Sequence, residues 1–407
     1  MPSPFVSRIH PRATAFALLL AAASAVGACS SDSSVESGSE AGADSGPGTA
    51  PRDASLDSDA ATSDGAVDGG DGAVGDDDAD ADAALPFLNP HFAFSGPVNA
   101  FLPAGHSWYV GGNFTRISKY AASNLIALDP TGAPPGCVSA NGFDAGINAI
   151  AQSGGSVYIG GTFTHYRGSS ANFIAKLDAA TCAIDTTFSP PANNGFDDFV
   201  TSLVVTNGSL YVGGSFSDYR GASAINIAKL DLTTGALDTT FSPLANNGFS
   251  DTVTSLGVSG SALYVGGYFS AYRGVSGSAS KVAKLDLTTG ALDTTFSPPG
   301  AASNGFDGSV DTLAFANCSL YVGGAFTAYP GAITSAEAIA KLDATSGALD
   351  TTFSPSGATA NGFDGTVTAL GVSSTTLLCG GTFTAYRGVA ASAEALAVLD
   401  PATGSVR

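Results

Sequence analysis

The chain has 407 residues, a formal net charge of −20 and a hydrophobic fraction of 44%, with 52 glycines. The acidic balance excludes a nucleic-acid surface, which needs a basic patch, and it excludes attraction to an anionic membrane by charge. At this length a sizeable core can be buried, provided the apolar residues fall within one part of the chain.

The first 28 residues open with Arg8 and Arg12 and continue with an apolar run at 13–25. That order is the n-region and h-region of an export signal. The run is shorter than the ~20 apolar residues a membrane span needs. Val26-Gly27-Ala28-Cys29 resembles a bacterial lipobox, in which cleavage leaves the cysteine as a lipidated first residue. Cys29 is therefore expected to anchor an exported protein to a membrane, at the outer membrane or the cell surface. Residues 29–84 follow as a tether. They hold fifteen acids and a single base, Arg52, and no aromatic residue. Such a segment cannot offset its ordering entropy by burial, and a flexible chain of this length reaches on the order of 40 Å. Its Asp-Gly runs lack the register and distal Glu of a calcium loop.

From 85 to 407 one strand-rich unit recurs six times. Tyr109-Val110-Gly111-Gly112 returns as Tyr158-Ile159-Gly160-Gly161, Tyr211-Val212-Gly213-Gly214, Tyr264-Val265-Gly266-Gly267, Tyr321-Val322-Gly323-Gly324 and Leu378-Cys379-Gly380-Gly381. A repeat of about 50 residues cannot bury its own apolar face and must stack on its neighbours. In the third unit, residues 200–205 form a β-branched run that ends at Asn207-Gly208, a two-residue hairpin signal. Strands are expected at 209–216, 227–231 and 236–241, with a polar loop at Tyr219-Arg220-Gly221 between the second and third. The pattern predicts an all-β fold: a six-bladed β-propeller of four-stranded antiparallel blades. The sixth unit shows no Leu-Asp-Thr-Thr-Phe after Thr403-Gly404, while Leu88-Asn89-Pro90-His91-Phe92 precedes the first unit. Residues 88–92 are therefore expected to complete the last blade as an N-terminal strand and close the ring, removing two sheet edges. The paired glycines are expected to mark close approach of neighbouring chains.

The block of Val/Ile-rich strand, Tyr-Val-Gly-Gly, Ile-Ala-Lys-Leu-Asp, Thr-Gly and Leu-Asp-Thr-Thr-Phe resembles the bacterial delta-sixty repeat. That resemblance covers nearly all of 85–407 and implies a β-propeller of exported proteins. With the signal, lipobox and acidic tether, the chain also resembles a myxobacterial surface lipoprotein. The family has no agreed catalytic residues to carry over.

Chemistry is sparse. No Gly-x-Ser-x-Gly elbow or HExxH is present. Cys137, Cys182, Cys318 and Cys379 fall at unrelated repeat positions without zinc spacing, which leaves room for a disulfide without fixing its pair. No metal and no cofactor are expected. Tyr-Arg-Gly recurs with Arg167, Arg220, Arg273 and Arg387, and Asn-Gly-Phe-Asp recurs on the same expected face. Those rings read as a rim, or as turn chemistry and ion pairs between blades. Copies diverge just before the third strand, at Asn124, Phe173, Asn226, Lys281, Ala338 and Ala395, with Glu337 and Glu394 beside them. The first unit departs most, at His106, Trp108, Arg116 and Lys119. Variation of this kind maps to binding loops, so the candidate contacts are Arg116, Lys119, Phe173, Arg167, Arg220, Lys281, Glu337 and Glu394. The expectation is a monomeric binding or scaffolding module for a protein or glycan. The alternatives are a propeller hydrolase or lyase that acts on polysaccharide through rim carboxylates, and a purely structural envelope protein.

Overall fold

The third unit shows how the residues make the sheet. Val200–Thr206 sends Val200 and Leu203 inward and reaches Asn207-Gly208, both at positive φ (48° and 73°). That is the mirror-image turn whose twist matches paired right-handed strands. Ser209–Gly214 returns antiparallel, and Ile227–Asp231 pairs on its other edge. The computed structural model describes residues 93–407, except 105–106, 119, 129–141, 191–193, 244–246, 297–304, 330–335, 355–359 and 391. The expected leader, the tether and the closing strand at 88–92 lie outside the described residues. Within them the same three-stranded sheet occurs six times, with the second strand always central.

Two expectations about the blade are corrected. The fourth strand is reduced to a single bridge, Leu230 to Leu237 in the third unit, repeated as Leu177–Ile184, Leu285–Leu292 and Leu342–Leu349. Beyond the bridge the Asp238 carboxylate accepts the N–H of Thr240 (2.9 Å) and of Phe241 (3.3 Å). An Asp that satisfies backbone donors two and three residues on turns the chain instead of extending it. Lys229 holds that turn to the sheet through a 3.0 Å ion pair with Asp238. The sixth unit is also not empty at this place. Val406 bridges Leu399 as Leu237 bridges Leu230, and Arg407 pairs with Asp400 at 2.7 Å.

The units stack through their first strands. Val98–Ala104, Ile147–Ser153, Val200–Thr206, Val253–Ser259, Val310–Ala316 and Val367–Val372 pack each on the next. No comparable packing joins the first to the sixth among the described residues, so the described series is open where a closed ring was expected. The apolar clusters straddle neighbours: Tyr158, Ile174 and Phe188 of the second unit share one with Val200, Leu210 and Val212 of the third. Tyrosines of the second strand reach across the same seams. Tyr211 donates to Leu287 O at 2.6 Å and Tyr158 to Leu232 O at 2.8 Å, each in the following unit. Burial, with Asp238 nearby, pushes the Tyr211 hydroxyl up to about 12, so it remains a donor.

The glycine pair has two separate duties. A Cβ at Gly213 would stand 2.5 Å from Val253 Cγ1 in the next unit, and one at Gly214 would stand 2.3 Å from Phe199 O in its own. The first glycine admits a neighbour's side chain and the second admits backbone.

Candidate ligand-binding rim

The expected polar loop between second and third strands is a two-residue hairpin. Asp218–Tyr219 pairs with Ala222–Ser223, and Arg220 and Gly221 form its tip at φ 53° and 83°. An arginine in the left-handed region is costly unless its side chain is held. Here it is held by backbone oxygens. Arg220 donates to Phe188 O of the preceding unit and to Gly235 O of its own (3.3 Å), and its guanidinium lies over the Tyr219 ring at 4.9 Å. Arg273 repeats this on Phe241 O (2.9 Å) and Thr289 O (3.0 Å), and Arg387 on Phe353 O (2.6 Å). Arg167 stands over Tyr166 at 5.2 Å. Among the described residues, the ion pairs do not join these arginines to the aspartates of the Asn-Gly-Phe-Asp turns.

The aspartates are held as well. Asp144 accepts the N–H groups of Thr164 (2.8 Å) and His165 (2.9 Å). Partial burial pushes that carboxyl up, but these donors and the Thr164 hydroxyl outweigh it and hold it at about 2. Asp197, Asp307 and Asp364 make the equivalent bonds. At the end of the third strand, Asp231 caps its turn through the Thr234 N–H (2.8 Å) and hydroxyl, which lower its pKa.

The variable position before the third strand has one backbone geometry in every unit. Asn124, Phe173, Asn226, Lys281, Ala338 and Ala395 all lie at φ 59–67°. Asn124 and Asn226 use their amides to reach Phe143 O (3.0 Å) and Phe249 O (2.8 Å) of the next unit. Phe173 instead packs half-buried against the second–third seam. Lys281 sends Nζ to Tyr268 O at 2.5 Å. Glu337 accepts the Asn361 N–H at 3.2 Å, whereas Glu394 is exposed. Arg116 is exposed on a short strand tied to Ser95. Lys119 lies outside the described residues. The structure thus ties Lys281 to Tyr268, and leaves Arg116 and Glu394 outward-facing in separate units. Cys182 and Cys318 are disulfide-bonded, and Cys379 is a free thiol whose pKa burial raises. Among the described residues, no group of three or more His, Cys, Asp or Glu side chains is placed to hold a metal.

Sequence reasoning missed three residues, Tyr268, Ser309 and Asp311. Tyr268 is 45% exposed. Asp311 has a buried Oδ1 without a hydrogen-bond partner, and burial raises its carboxyl, with the Ser309 hydroxyl opposing. The signal was present: Asp311 is the carboxylate in a column that otherwise reads Asn99, Asn148, Thr201, Thr254 and Thr368.

A family model described as a domain of unknown function (DUF5122), a beta-propeller, matches residues 152–188, 206–241 and 263–296. No curated protein matches the chain significantly. Among solved structures, the WD40 beta propeller domain of Doa1 is similar at 12% identity over 70% of this chain and 76% of that one, with a TM-score of 0.40. BamB from Moraxella catarrhalis is similar at 14% identity over 77% of this chain and 73% of that one, with a TM-score of 0.38. The computationally designed Ika8 protein is similar at 15% identity over 76% of this chain and 85% of that one, with a TM-score of 0.40. The repeated antiparallel sheets and the family match together make this chain a β-propeller protein.

Proposed function

We propose that this propeller is a lipid-anchored binding or scaffolding module of the exported, outer-membrane or cell-surface class, with a protein or glycan partner. The observation that carries the reading is how the repeat spends its ionisable groups. Arg220, Arg273 and Arg387 are committed to carbonyls, and Asp144, Asp197 and Asp231 to backbone N–H groups. A general acid needs a pKa raised toward the working pH, and the turn carboxylates are lowered instead. The hydrolase or lyase reading through rim carboxylates is the weaker for that reason.

Six blades in a ring closed by residues 88–92 belong to the same proposal. Support comes from the sixth unit, where Leu396 is 56% and Val406 47% exposed, while Ile227, at the place of Leu396, is buried by its neighbour. Removing residues 1–97 should lower the melting temperature and promote association through the open edge, whereas removing 1–84 should not. Equal melting of both would refute closure by this segment. For anchoring, Cys29→Ala should shift the protein from detergent to water in a Triton X-114 partition, and unchanged partitioning would refute a lipid anchor at Cys29. The module reading itself is tested by offering full-length protein to envelope extracts and arrayed glycans. Saturable capture weakened by Arg116→Ala with Lys119→Ala, or by Lys281→Ala with Glu394→Ala, is expected. Turnover of a polysaccharide with release of shortened products would overturn it in favour of an enzyme.

A further inference from the structure

Each interior seam is tied by side chains that reach from one unit to the next. The second-strand tyrosines donate to carbonyls of the following unit: Tyr109 to Ala179 O (2.8 Å), Tyr158 to Leu232 O, Tyr211 to Leu287 O, Tyr264 to Ala344 O and Tyr321 to Pro401 O (2.7 Å). The bulged second residue of the first strand adds another tie in four units. Asn99 and Asn148 reach Ile147 O (3.1 Å) and Val200 O (2.9 Å), and Thr201 and Thr254 reach Val253 O and Val310 O (2.5 Å each). The sixth unit, with no unit after it, has neither tie. Leu378 stands in the tyrosine's place. Among the described residues Thr368 reaches its own unit's Gly380 O, at 3.5 Å, and no carbonyl of another unit.

The face that carries Leu378 has changed character as a whole. In the second to fifth units the tyrosine is paired across the strands with a lysine, as Tyr211 is with Lys229. That lysine holds an aspartate of its own unit at 2.9–3.0 Å. In the sixth unit the pair is Leu378 with Val398. Beside them Leu396 is 56% exposed, while Ile174, Ile227, Val282 and Ile339 in the same column are buried. The end of a repeat array that faces water carries polar residues. This end has exchanged its polar residues for apolar ones, so it is built to be covered.

The first unit presents the counterpart. Phe101 and Trp108, stacked at 4.8 Å, stand where other units have aliphatic residues such as Leu203 and Leu210, which pack on the preceding unit. The apolar cluster around them holds first-unit residues alone, whereas the other clusters each join two units. Size is exchanged between the two faces: the sixth unit gives up a tyrosine for a leucine, and the first takes two large aromatic residues. One chain supplies one face of each kind. We propose that the sixth unit closes on the first as an apolar clasp, with Leu378, Leu396 and Val398 seated on Phe101 and Trp108, and that the ring parts at this joint before any unit unfolds. This rests on the ring reading and names the joint at which the ring opens. Opening an interior seam strands the carbonyls that its tyrosines serve. Opening the clasp exposes apolar surface and breaks no such bond, which makes it the place for a partial opening. Among the described residues the clasp stands parted, with Leu396 exposed.

Trp108 is the chain's single tryptophan, so its emission reports on this joint. Full-length protein is compared with Leu396→Asp and with Leu378→Tyr/Val398→Lys, which restores the pair that the second to fifth units fold with. Both variants should red-shift Trp108 emission and raise its quenching by acrylamide, while far-UV circular dichroism is unchanged. In the unmodified protein, urea should expose Trp108 at a lower concentration than the one that abolishes the circular dichroism. Emission that neither variant shifts would overturn the clasp and leave closure by residues 88–92 to its own truncation test. Coincident urea midpoints for the two signals would overturn opening at this joint. A sedimentation coefficient that rises with concentration in the parent, and not in Leu396→Asp, would put a second copy on this face and overturn closure within one chain.

Discussion

Adding one methyl group at Gly213 tests whether the repeat is held by contact between units. A Cβ there stands 2.5 Å from Val253 Cγ1 and 3.3 Å from Leu256 Cγ, both in the next unit. Carbon pairs settle near 3.5–4.0 Å, so the neighbour must give by about 1 Å. Val253 is fully buried and has little room to do so. Overpacking of this kind costs roughly 1–3 kcal/mol. Val253→Ala alone should cost about 1.6 kcal/mol for its two lost methyls, plus a cavity contribution that the methyl of Gly213→Ala would partly fill. The double variant Gly213→Ala/Val253→Ala should therefore be less destabilised than the sum of the singles, by at least about 1 kcal/mol. Urea unfolding followed by circular dichroism measures each midpoint at constant m. Gly155→Ala is the control, since a Cβ there meets nothing within 4 Å; it should change stability by less than about 0.5 kcal/mol. Additive singles, or a neutral Gly213→Ala, would refute packing between units as the reason for the first glycine.

Tyr211→Phe strands the buried Leu287 carbonyl and should cost about 1–3 kcal/mol, read as a lower urea midpoint. Arg273→Ala should destabilise by a similar ~1–3 kcal/mol, because two carbonyls lose a charged donor; Arg116→Ala, on an exposed side chain, should leave melting unchanged. Asp231 and Asp286 have folded pKa values lowered chiefly by the N–H groups of Thr234 and Thr289, so their contribution is present above the ordinary carboxylate pKa and is lost as pH falls below it. Melting temperature should drop on acidification, and less steeply in Asp231→Ala. Asp311 runs the other way: burial raises its folded pKa, so its cost appears as pH rises through and above the ordinary carboxylate value. Asp311→Asn should gain on the parent over that interval, and an identical pH profile would show that the carboxyl is not buried against the seam.

Much of the fold was legible because the repeat writes each constraint several times. Tyr-Val-Gly-Gly fixed the central strand, and Asn207-Gly208 fixed the hairpin at the turn type its φ values show. The fourth strand misled because Ala236-Leu237-Asp238-Thr239-Thr240-Phe241 has strand-like composition, yet the Asp238 carboxylate satisfies local backbone donors and bends the chain. The same competition hid in Tyr219-Arg220-Gly221, where the arginine accepts a left-handed backbone because carbonyls of two units hold its guanidinium. A single unit's sequence contains only half of that arrangement.

The columns read as a rim mix two kinds of variation. Arg220, Arg273 and Arg387 each bond a carbonyl of the preceding unit, so their recurrence reports folding. Phe173 varies, but its ring packs against the next unit, and Glu337 varies, but it caps the Asn361 N–H. A variable column becomes informative when the substituted residue is worse for the seam than the residue it replaces. Asp311 meets that condition, since it loses the donor that Thr201 and Thr254 supply and leaves an oxygen unpaired. Tyr268 meets it by exposing a ring where small residues stand elsewhere. The two could be joined only in three dimensions. They are 43 residues apart by numbering and belong to neighbouring units, whose bulged first strands pack as those of the other units do.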